Sequence, residues 1–253
     1  MITSKDNPKI KAAARLRESA GERREEGLFF LEGYRLCHDA IASGYLPETL
    51  FVTERAREKY PLPREVPVML VSGPIAQKLA DTQTPQGIFG VFRRKAGKGP
   101  GFWQPGGHYL ALEQVQDPGN LGGIARTAEA LGLDGLLLCG GCDMFHPKAL
   151  RASMGALLRL PVLEMEGLAE ALAGCGLPCY AAVPDRTAQP VTQCVLGRGC
   201  VVAIGNEGNG LSSEVIAACD GKVTVPMPGR AESLNAMAAA TILLWEMTRQ
   251  RNG

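Results

Sequence analysis

The sequence has few histidines and no excess of charge of one sign. Three histidines accompany eight cysteines, and the one C-x-x-C pair, Cys139 and Cys142, is not followed by a second pair. Free cysteine is commonly a small buried hydrophobic residue, so a zinc or redox role is the minor alternative and we predict no metal site. Because 27 Lys and Arg balance 26 Asp and Glu, a nucleic-acid surface would have to be a local patch.

Long hydrophobic runs are absent as well. The longest apolar stretch, residues 236–245, is too short to span a bilayer and contains Thr241. Residues 1–8 lack the apolar segment of a signal peptide. We therefore expect a cytoplasmic protein with reduced cysteines and no membrane span.

Glycine, proline and lysine are concentrated in residues 93–107, which cannot form a periodic buried face. This segment predicts a linker between one domain at 1–92 and another at 108–253. The first domain is expected to be a small α/β domain. Its expected elements are helices at 9–18, 34–43 and 74–79 and strands at 28–31, 49–53, 66–71 and 87–92.

In the second domain, apolar runs alternate regularly with helix-like segments. The expected strands are 109–114, 135–139, 162–165, 179–183, 199–204 and 222–225. The expected helices are 124–131, 147–158, 168–173, 212–219 and 234–249. This order predicts an α/β fold with a parallel sheet and helices on both faces, in which ligands bind at the carboxyl ends of the strands.

Three polar, glycine-containing segments follow strands of this domain. The first, 120–126, reads Asn-Leu-Gly-Gly-Ile-Ala-Arg. Asn120 is expected at the start of a helix, where it could cap backbone donors, and Arg126 about one turn later. Because the helix dipole disfavours a cation there, Arg126 indicates an anionic partner such as a phosphate, with a surface ion pair as the alternative.

The other two segments are 205–210, Gly-Asn-Glu-Gly-Asn-Gly, and 225–235, Val-Pro-Met-Pro-Gly-Arg-Ala-Glu-Ser-Leu-Asn. The former is not the G-x-G-x-x-G loop of dinucleotide-binding proteins, and Glu207 disfavours a phosphate ligand. Such a loop better suits a neutral or cationic ligand. In the latter, Ser233 is either the N-cap of the apolar final helix or a functional residue.

Together and in this order, the three segments resemble the motifs of the SpoU branch of the SPOUT RNA methyltransferases. The matching residues are Asn120, Arg126, Gly205, Glu207, Gly210, Pro226, Gly229, Ser233, Leu234 and Asn235. Residues 147–156 are similar to the family's segment between motifs one and two. Residues 1–92 resemble the ribosomal-protein-like substrate-binding domain of many members. One departure is Ala236-Met237, where the family usually has Val-Ser.

The resemblance implies a catalytic domain with a deep trefoil knot, which periodicity alone would not reveal. It also implies a homodimer that binds S-adenosylmethionine (AdoMet) in the knot. The implied cofactor pocket consists of Ile204, Gly205, Val225, Met227 and Leu234. The apolar final helix, with residues 242–245, would lie at the dimer interface or, alternatively, in ordinary core.

The implied reaction transfers a methyl group from a sulfonium to a ribose 2′-oxygen. Arg126 resembles the family's catalytic arginine. Because a guanidinium normally stays protonated, we expect it to bind the adjacent RNA phosphate and stabilise the developing alkoxide. Asn120, Glu207, Ser233 and Asn235 would orient Arg126 and the ribose; alternatively, Glu207 only holds the loops together.

For the RNA itself, basic residues of the first domain are the candidates, with solvated charge as the alternative. They are Lys5, Lys9, Lys11 and Arg15, together with Arg151 and the linker residues Arg93, Arg94, Lys95 and Lys98. Structured ribosomal RNA is expected ahead of transfer RNA by fold-level analogy. A non-catalytic RNA-binding factor is the second hypothesis. A nicotinamide-dependent oxidoreductase is third, since it needs the fingerprint loop that this chain lacks.

Overall fold

The structure is a computed structural model that describes residues 1–63, 65–95 and 101–252. Residues 96–100 of the expected linker, Lys98 among them, lie outside the described residues. The chain divides into two compact units, one of Met1–Ala96 with Phe145–Leu158 and one of Gly97–Met144 with Arg159–Gly253. The domain limits expected from the sequence stay a prediction, and residues 145–158 group with the first unit.

The helices and strands follow one another along the chain in two sets. The first set is α1 (Pro8–Glu18), α2 (Ala20–Glu26), β1 (Leu28–Glu32), α3 (Tyr34–Ala42), β2 (Pro47–Val52), α4 (Glu54–Lys59), β3 (Val68–Leu70), α5 (Gly73–Leu79) and β4 (Ile88–Arg93). The second set is β5 (His108–Glu113), α6 (Pro118–Ala130), β6 (Gly135–Cys139), α7 (Pro147–Ala152), α8 (Ala156–Arg159), β7 (Val162–Met165), α9 (Leu168–Gly174), β8 (Cys179–Ala182), β9 (Gln189–Pro190), β10 (Cys200–Ile204), α10 (Ser213–Ala218), β11 (Gly221–Thr224) and α11 (Ala236–Asn252).

The first unit is built on a four-stranded mixed sheet in the order β1-β4-β2-β3. Strand β4 is antiparallel to both β1 and β2, and β2 is parallel to β3. One face packs against α1 and α5 around Phe30, Phe51 and Phe89. Asn7 caps α1 by accepting a 3.0 Å hydrogen bond from the N–H of Lys9, as its position before a proline predicts.

The helix expected at 147–158 is two short helices, α7 and α8. Met154 and Gly155, between them, have φ angles of 51° and 84°. A left-handed backbone cannot continue a right-handed helix, so the two residues end α7 and redirect the chain. Within the first unit, Phe145 packs on Phe29 with ring centroids 4.5 Å apart, and Arg151 pairs with Asp81.

The second unit contains a seven-stranded sheet in the order β7-β6-β5-β10-β8-β11-β9. Every pairing in it is parallel, which confirms the prediction from the alternating sequence. The inner strands are buried on both sides. Tyr109 and Val201 belong to the core cluster under α9 and α10, while their neighbours Leu110 and Val202, which point to the other face, are also buried.

The parallel arrangement places the carboxyl ends of β5, β10 and β11 at one edge of the sheet. The three segments singled out in the sequence follow these three strands. They therefore meet at the edge where open parallel sheets bind ligands. Throughout the described ranges, no helix combines the length and the apolar character needed to cross a bilayer.

Candidate active site

Helix α6 begins six residues before its expected start at 124, and this changes the roles of two residues. Its N-cap is Asp117, whose side chain accepts a 2.9 Å hydrogen bond from the N–H of Asn120, and Pro118 is the first helical residue. Asn120 is thus not the cap, and Arg126 is the ninth helical residue. The expected position of Arg126 about one turn into the helix was wrong, and the helix dipole gives no reason for an anion there. The Asp-Pro pair is the sequence signal that marks the true start.

The final helix also begins at a different residue. The side-chain oxygen of Asn235 accepts hydrogen bonds from the N–H groups of Met237, at 2.9 Å, and Ala238, at 3.3 Å. Asn235 therefore caps α11, which starts at Ala236 and not at the expected residue 234, and of the two alternatives for Ser233 the N-cap is excluded. Ser233 is exposed in the preceding loop.

Helices α6 and α11 pack against each other. A Cβ atom on Gly123 would lie 2.1 Å from the sulfur of Met237. The two helices can therefore approach this closely only because residue 123 is a glycine. Met237 is one of the two residues at which the sequence departs from the family pattern. Its thioether fills the space above Gly123 and helps to hold the start of α11 against α6.

Three predicted catalytic residues from the three loops form one hydrogen-bonded chain. The side-chain amide of Asn235 donates to the side-chain oxygen of Asn120 at 3.0 Å. The side-chain amide of Asn120 donates to the carboxylate of Glu207 at 2.9 Å. The structure therefore brings Asn120, Glu207 and Asn235 together, and we refer to them as the amide–carboxylate chain.

Glu207 also accepts backbone hydrogen bonds from the loop after β5. The donors are the N–H groups of Gln116, at 3.1 Å, and Asp117, at 3.2 Å. Partial burial would raise the pKa of Glu207, but the hydrogen bonds from Asn120, Gln116 and Asp117 outweigh it and lower the pKa. The carboxylate is therefore ionised at neutral pH and joins the loops after β5 and β10.

The loop after β10 is a tight turn closed by its own backbone. Asn206 and Gly210 exchange two backbone hydrogen bonds of 3.0 and 2.9 Å. A Cβ atom on Gly205 would lie 2.1 Å from the carbonyl carbon of Gly210, so only glycine fits there. The side chain of Asn206 donates to the carbonyl of Gln114 at 2.8 Å. We did not single out Asn206 or Gln114 from the sequence, and only the positive φ of Gln114, 54°, marks that position as unusual.

A cavity of about 180 Å³ lies beside this turn. All five residues predicted to bind the cofactor line it, namely Ile204, Gly205, Val225, Met227 and Leu234. Glu207 and Ser233 line it too, as does Leu243 of α11. The cavity is thus bounded by apolar side chains and by the backbone of the loops after β10 and β11.

Arg126 neither lines this cavity nor bonds to the amide–carboxylate chain among the described residues. It is exposed on α6 and, among the residues that the structure describes, has no hydrogen-bond or ion-pair partner. The alternative of a surface ion pair therefore finds no partner in that part of the chain. Ser233 likewise makes no hydrogen bond to the amide–carboxylate chain among the described residues.

The cations predicted to contact RNA differ in their surroundings. Lys5 and Lys9 are exposed, while Lys11 pairs with Asp6 at 2.8 Å and Arg15 with Glu22 at 2.7 Å. The others are engaged as well. Arg151 pairs with Asp81, Arg93 with Glu48, Lys95 with the carbonyl of Ser43, and Arg94 lies 4.7 Å from the ring centre of Phe145.

The eight cysteines are all free thiols. Burial raises the pKa of Cys200 to about 12 and that of Cys219 to about 11, which makes both thiols poor nucleophiles at neutral pH. Within the described ranges, no group of three or more His, Cys, Asp or Glu is arranged to hold a metal ion.

Comparison with known proteins agrees with this arrangement. Residues 107–245 match the SpoU rRNA methylase family, and residues 7–90 match an MRM3-like substrate-binding domain. The chain is 35% identical to an uncharacterised tRNA/rRNA methyltransferase of Synechocystis, over 99% of this chain and 94% of the relative. It is 30% identical to the 23S rRNA (guanosine(2553)-2′-O)-methyltransferase RlmP of Bacillus subtilis, over 97% and 98%.

Among solved structures, the chain resembles the SpoU methyltransferase AviRb of Streptomyces viridochromogenes in complex with AdoMet. The TM-score is 0.86 at 26% identity, and the match covers 97% of this chain and 98% of AviRb. The family match extends over more than half of the sequence and includes all three loops at the sheet edge. This chain is therefore a member of the SpoU rRNA methylase family.

Proposed function

We propose that this chain transfers a methyl group from AdoMet to a ribose 2′-hydroxyl of ribosomal RNA. The observation that carries the proposal is the convergence of three loops at one sheet edge. There, the amide–carboxylate chain lies next to a cavity lined by Ile204, Gly205 and Leu234. Relatives named as 2′-O-methyltransferases of 23S rRNA and a similar structure with bound AdoMet support it.

The cavity lining fits AdoMet in its chemistry. Ile204, Val225 and Leu234 offer apolar surface to an adenine ring, and the turn at Gly205, which also lines the cavity, offers backbone polar groups to the ligand. AdoMet supplies a methyl group on a positively charged sulfur. The ionised carboxylate of Glu207, which lines the same cavity, favours a cationic ligand there.

Arg126 is the residue we propose to act on the reacting ribose. Side chains of a helix tilt toward its N-terminus, so the exposed Arg126 would extend along α6 toward the end at which the three loops meet. Its guanidinium has no partner among the described residues and would bind the RNA phosphate next to the reacting hydroxyl and stabilise the developing alkoxide. The hydroxyl proton would leave to that phosphate.

Asn120, Glu207 and Asn235 would act as positioning residues. They fix the starts of α6 and α11 relative to the turn at Gly205, and hence the oxygen relative to the methyl carbon. Ser233, exposed at the mouth of the cavity, would contact the ribose. We propose these roles jointly, since no single residue of the set can orient the substrate.

Three further properties belong to this proposal. We infer that the loops after β10 and β11 form the family's trefoil knot, and that the chain acts as a homodimer in the cytoplasm. Ile242 and Trp245 of α11 are 39% and 59% exposed and could form the dimer contact, whereas Leu243 and Leu244 are buried within the unit. A substrate-binding domain at residues 7–90 supports a structured RNA as the substrate.

The proposal is tested with tritium-labelled AdoMet and deproteinised ribosomal RNA, with total transfer RNA as the comparison. We expect label in the ribosomal RNA, and digestion to nucleosides should show it on the ribose. Binding of ribosomal RNA without any transfer would favour the non-catalytic alternative. Transfer to transfer RNA alone would contradict the proposed substrate.

A further inference from the structure

The first unit carries a pair of stacked tyrosines on its surface. The rings of Tyr34, at the start of α3, and Tyr60, just after α4, have centroids 4.7 Å apart and planes 18° from parallel. Both residues are only partly buried. Among the described residues, neither hydroxyl has a hydrogen-bond partner, whereas Tyr109 donates its hydroxyl to a carbonyl in the core. Within the described part of the unit, the hydroxyl groups of Tyr34 and Tyr60 therefore remain available to a ligand.

Several cations lie near Tyr60, the second ring of this pair. Lys59 lies 5.2 Å from the ring centre of Tyr60. Two depressions, of about 1150 and 470 Å³, share Lys59 and Tyr60 in their walls. The other cations that line them are Lys9, Arg55 and Arg57, and among the described residues none of these has an ion-pair partner.

Acidic residues are sparse in the same walls. Among the described residues that line the two depressions, Glu58 is the one carboxylate against four cations. The basic face of α1 differs, because Lys11 and Arg15 are already paired with Asp6 and Glu22. The described walls of the two depressions therefore carry a net positive charge beside Tyr60.

We propose that Tyr34, Tyr60, Arg55 and Lys59, here called the tyrosine platform, bind unpaired nucleotides of the RNA substrate. The proposal rests on the proposed function and names the part of the first unit that contacts RNA. Aromatic rings flanked by unpaired cations suit single-stranded RNA, in which bases stack on the rings and phosphates meet the cations. A regular duplex hides its bases and would meet only the cations.

The backbone around the platform is fixed in a way that suits this role. Gly33, with φ of 98°, precedes Tyr34, and the N–H of Tyr34 donates to the side chain of Gln86 at 2.9 Å. The N–H of Tyr60 donates to the carbonyl of Ala56 at 3.0 Å. The backbones of both tyrosines are therefore anchored and their rings stack on each other, which lowers the entropy lost on stacking a base.

The test measures binding of a fluorescent, unstructured single-stranded RNA of about 20 nucleotides to the full chain, with a duplex of the same length as competitor. Tyr60→Ala and Tyr34→Ala should each weaken binding about ten-fold, whereas Tyr60→Phe should bind as the unchanged chain does. Arg55→Ala and Lys59→Ala should weaken binding and reduce its salt dependence by about one ion each. Arg24→Ala, which removes an exposed cation outside both depressions, is the matched control.

Thermal unfolding and AdoMet binding are measured for each variant, so that misfolding is separated from loss of contact. Unchanged RNA affinity in folded Tyr34→Ala and Tyr60→Ala would overturn the platform, and so would equal competition by the duplex. Failure of the unchanged chain to bind AdoMet or to methylate RNA would instead overturn the proposed function. The two failures are distinguishable because the platform is tested by the RNA affinity of the variants relative to the unchanged chain. The proposed function is tested by AdoMet binding and methyl transfer of the unchanged chain itself.

Discussion

The side-chain amide of Asn120 donates a 2.9 Å hydrogen bond to the carboxylate of Glu207, 87 residues further along the chain. This bond joins the loop after β5 to the loop after β10. The carboxylate also accepts from two backbone N–H groups, so one side chain orders the start of α6. The bond therefore couples the stability of the sheet edge to the position of Arg126.

Glu207→Gln tests this coupling. The amide that replaces the carboxylate can accept fewer of the three hydrogen bonds, and it places a donor against donors. We expect a loss of about 1 kcal/mol in the free energy of unfolding, and methyl transfer slower by about ten-fold or more because the reacting groups are misplaced. Denaturant unfolding and single-turnover transfer provide the two measurements. Glu214→Gln, an exposed change on α10, is the control, and equal effects in both variants would contradict the coupling.

Capping of the final helix gives a second prediction. Asn235 accepts from two N–H groups of α11, so Asn235→Ala should lower the free energy of unfolding by about 1 kcal/mol. Ser233→Ala should leave it unchanged, because Ser233 caps nothing. Urea unfolding of the two variants measures the difference. The reverse order of stabilities would show that the helix begins at Ser233.

Glu246 gives a third prediction, on pH. Hydrogen bonds from Arg249 and then Gln250 outweigh burial and lower its pKa to about 2, from an ordinary value of 4.5. A carboxylate with a depressed pKa stabilises the folded state above its unfolded pKa, and this stabilisation is lost as the pH falls through the folded pKa. Glu246→Gln should therefore be less stable than the unchanged chain by a constant amount from pH 7 to 5. The difference in the free energy of unfolding between the two proteins should narrow between pH 4.5 and 2.

Urea unfolding at pH 7, 5 and 3.5 measures that gap. The free energy of unfolding of both proteins will fall at low pH, so only their difference is informative. A difference that grows on acidification would contradict the assignment.

Most strands could be predicted from the sequence because they are short apolar runs between turn residues, whereas β9 (Gln189–Pro190) contains no such run and was missed. Strands β6 and β7 have the expected bounds, Gly135–Cys139 and Val162–Met165. The first residues of the helices were harder to predict from the sequence. Residues 118–123 contain Pro118 and three glycines, which are poor helix formers, so the pattern indicated a loop where α6 has its first turns.

Contacts between distant residues could not be derived from local patterns. The predicted parallel sheet placed the segments of Asn120 and Glu207 at one edge, but periodicity did not show that the two side chains meet. The Tyr34–Tyr60 stack was missed for the same reason. Helix α4, which positions Tyr60, has one buried residue, Ala56, and therefore lacks an apolar stripe that would reveal it.

The turn after β10 gives a fourth prediction. Because a Cβ on Gly205 would overlap the backbone of Gly210, Gly205→Ala must shift the turn that bounds the cavity. We expect AdoMet affinity to fall by about ten-fold or more, a loss of at least about 1.4 kcal/mol. Gly174→Ala, where a Cβ meets nothing within 4 Å, is the matched control. Calorimetric titration measures both, and unchanged AdoMet affinity in Gly205→Ala would show that the turn takes no part in the cavity.

The fifth prediction separates cofactor binding from chemistry at Arg126. Arg126 does not line the cavity and has no partner among the described residues, so Arg126→Ala should leave AdoMet affinity and stability unchanged. Methyl transfer should fall by about a thousand-fold, as expected when a group that stabilises transition-state charge is removed.

Arg126→Lys should recover only part of the rate, since an ammonium cannot match the two-point contact of a guanidinium with phosphate. Arg198→Ala removes another exposed arginine, which lies before β10 at the opposite edge of the sheet, and should retain the full rate. Full transfer by Arg126→Ala would mean that another residue activates the ribose.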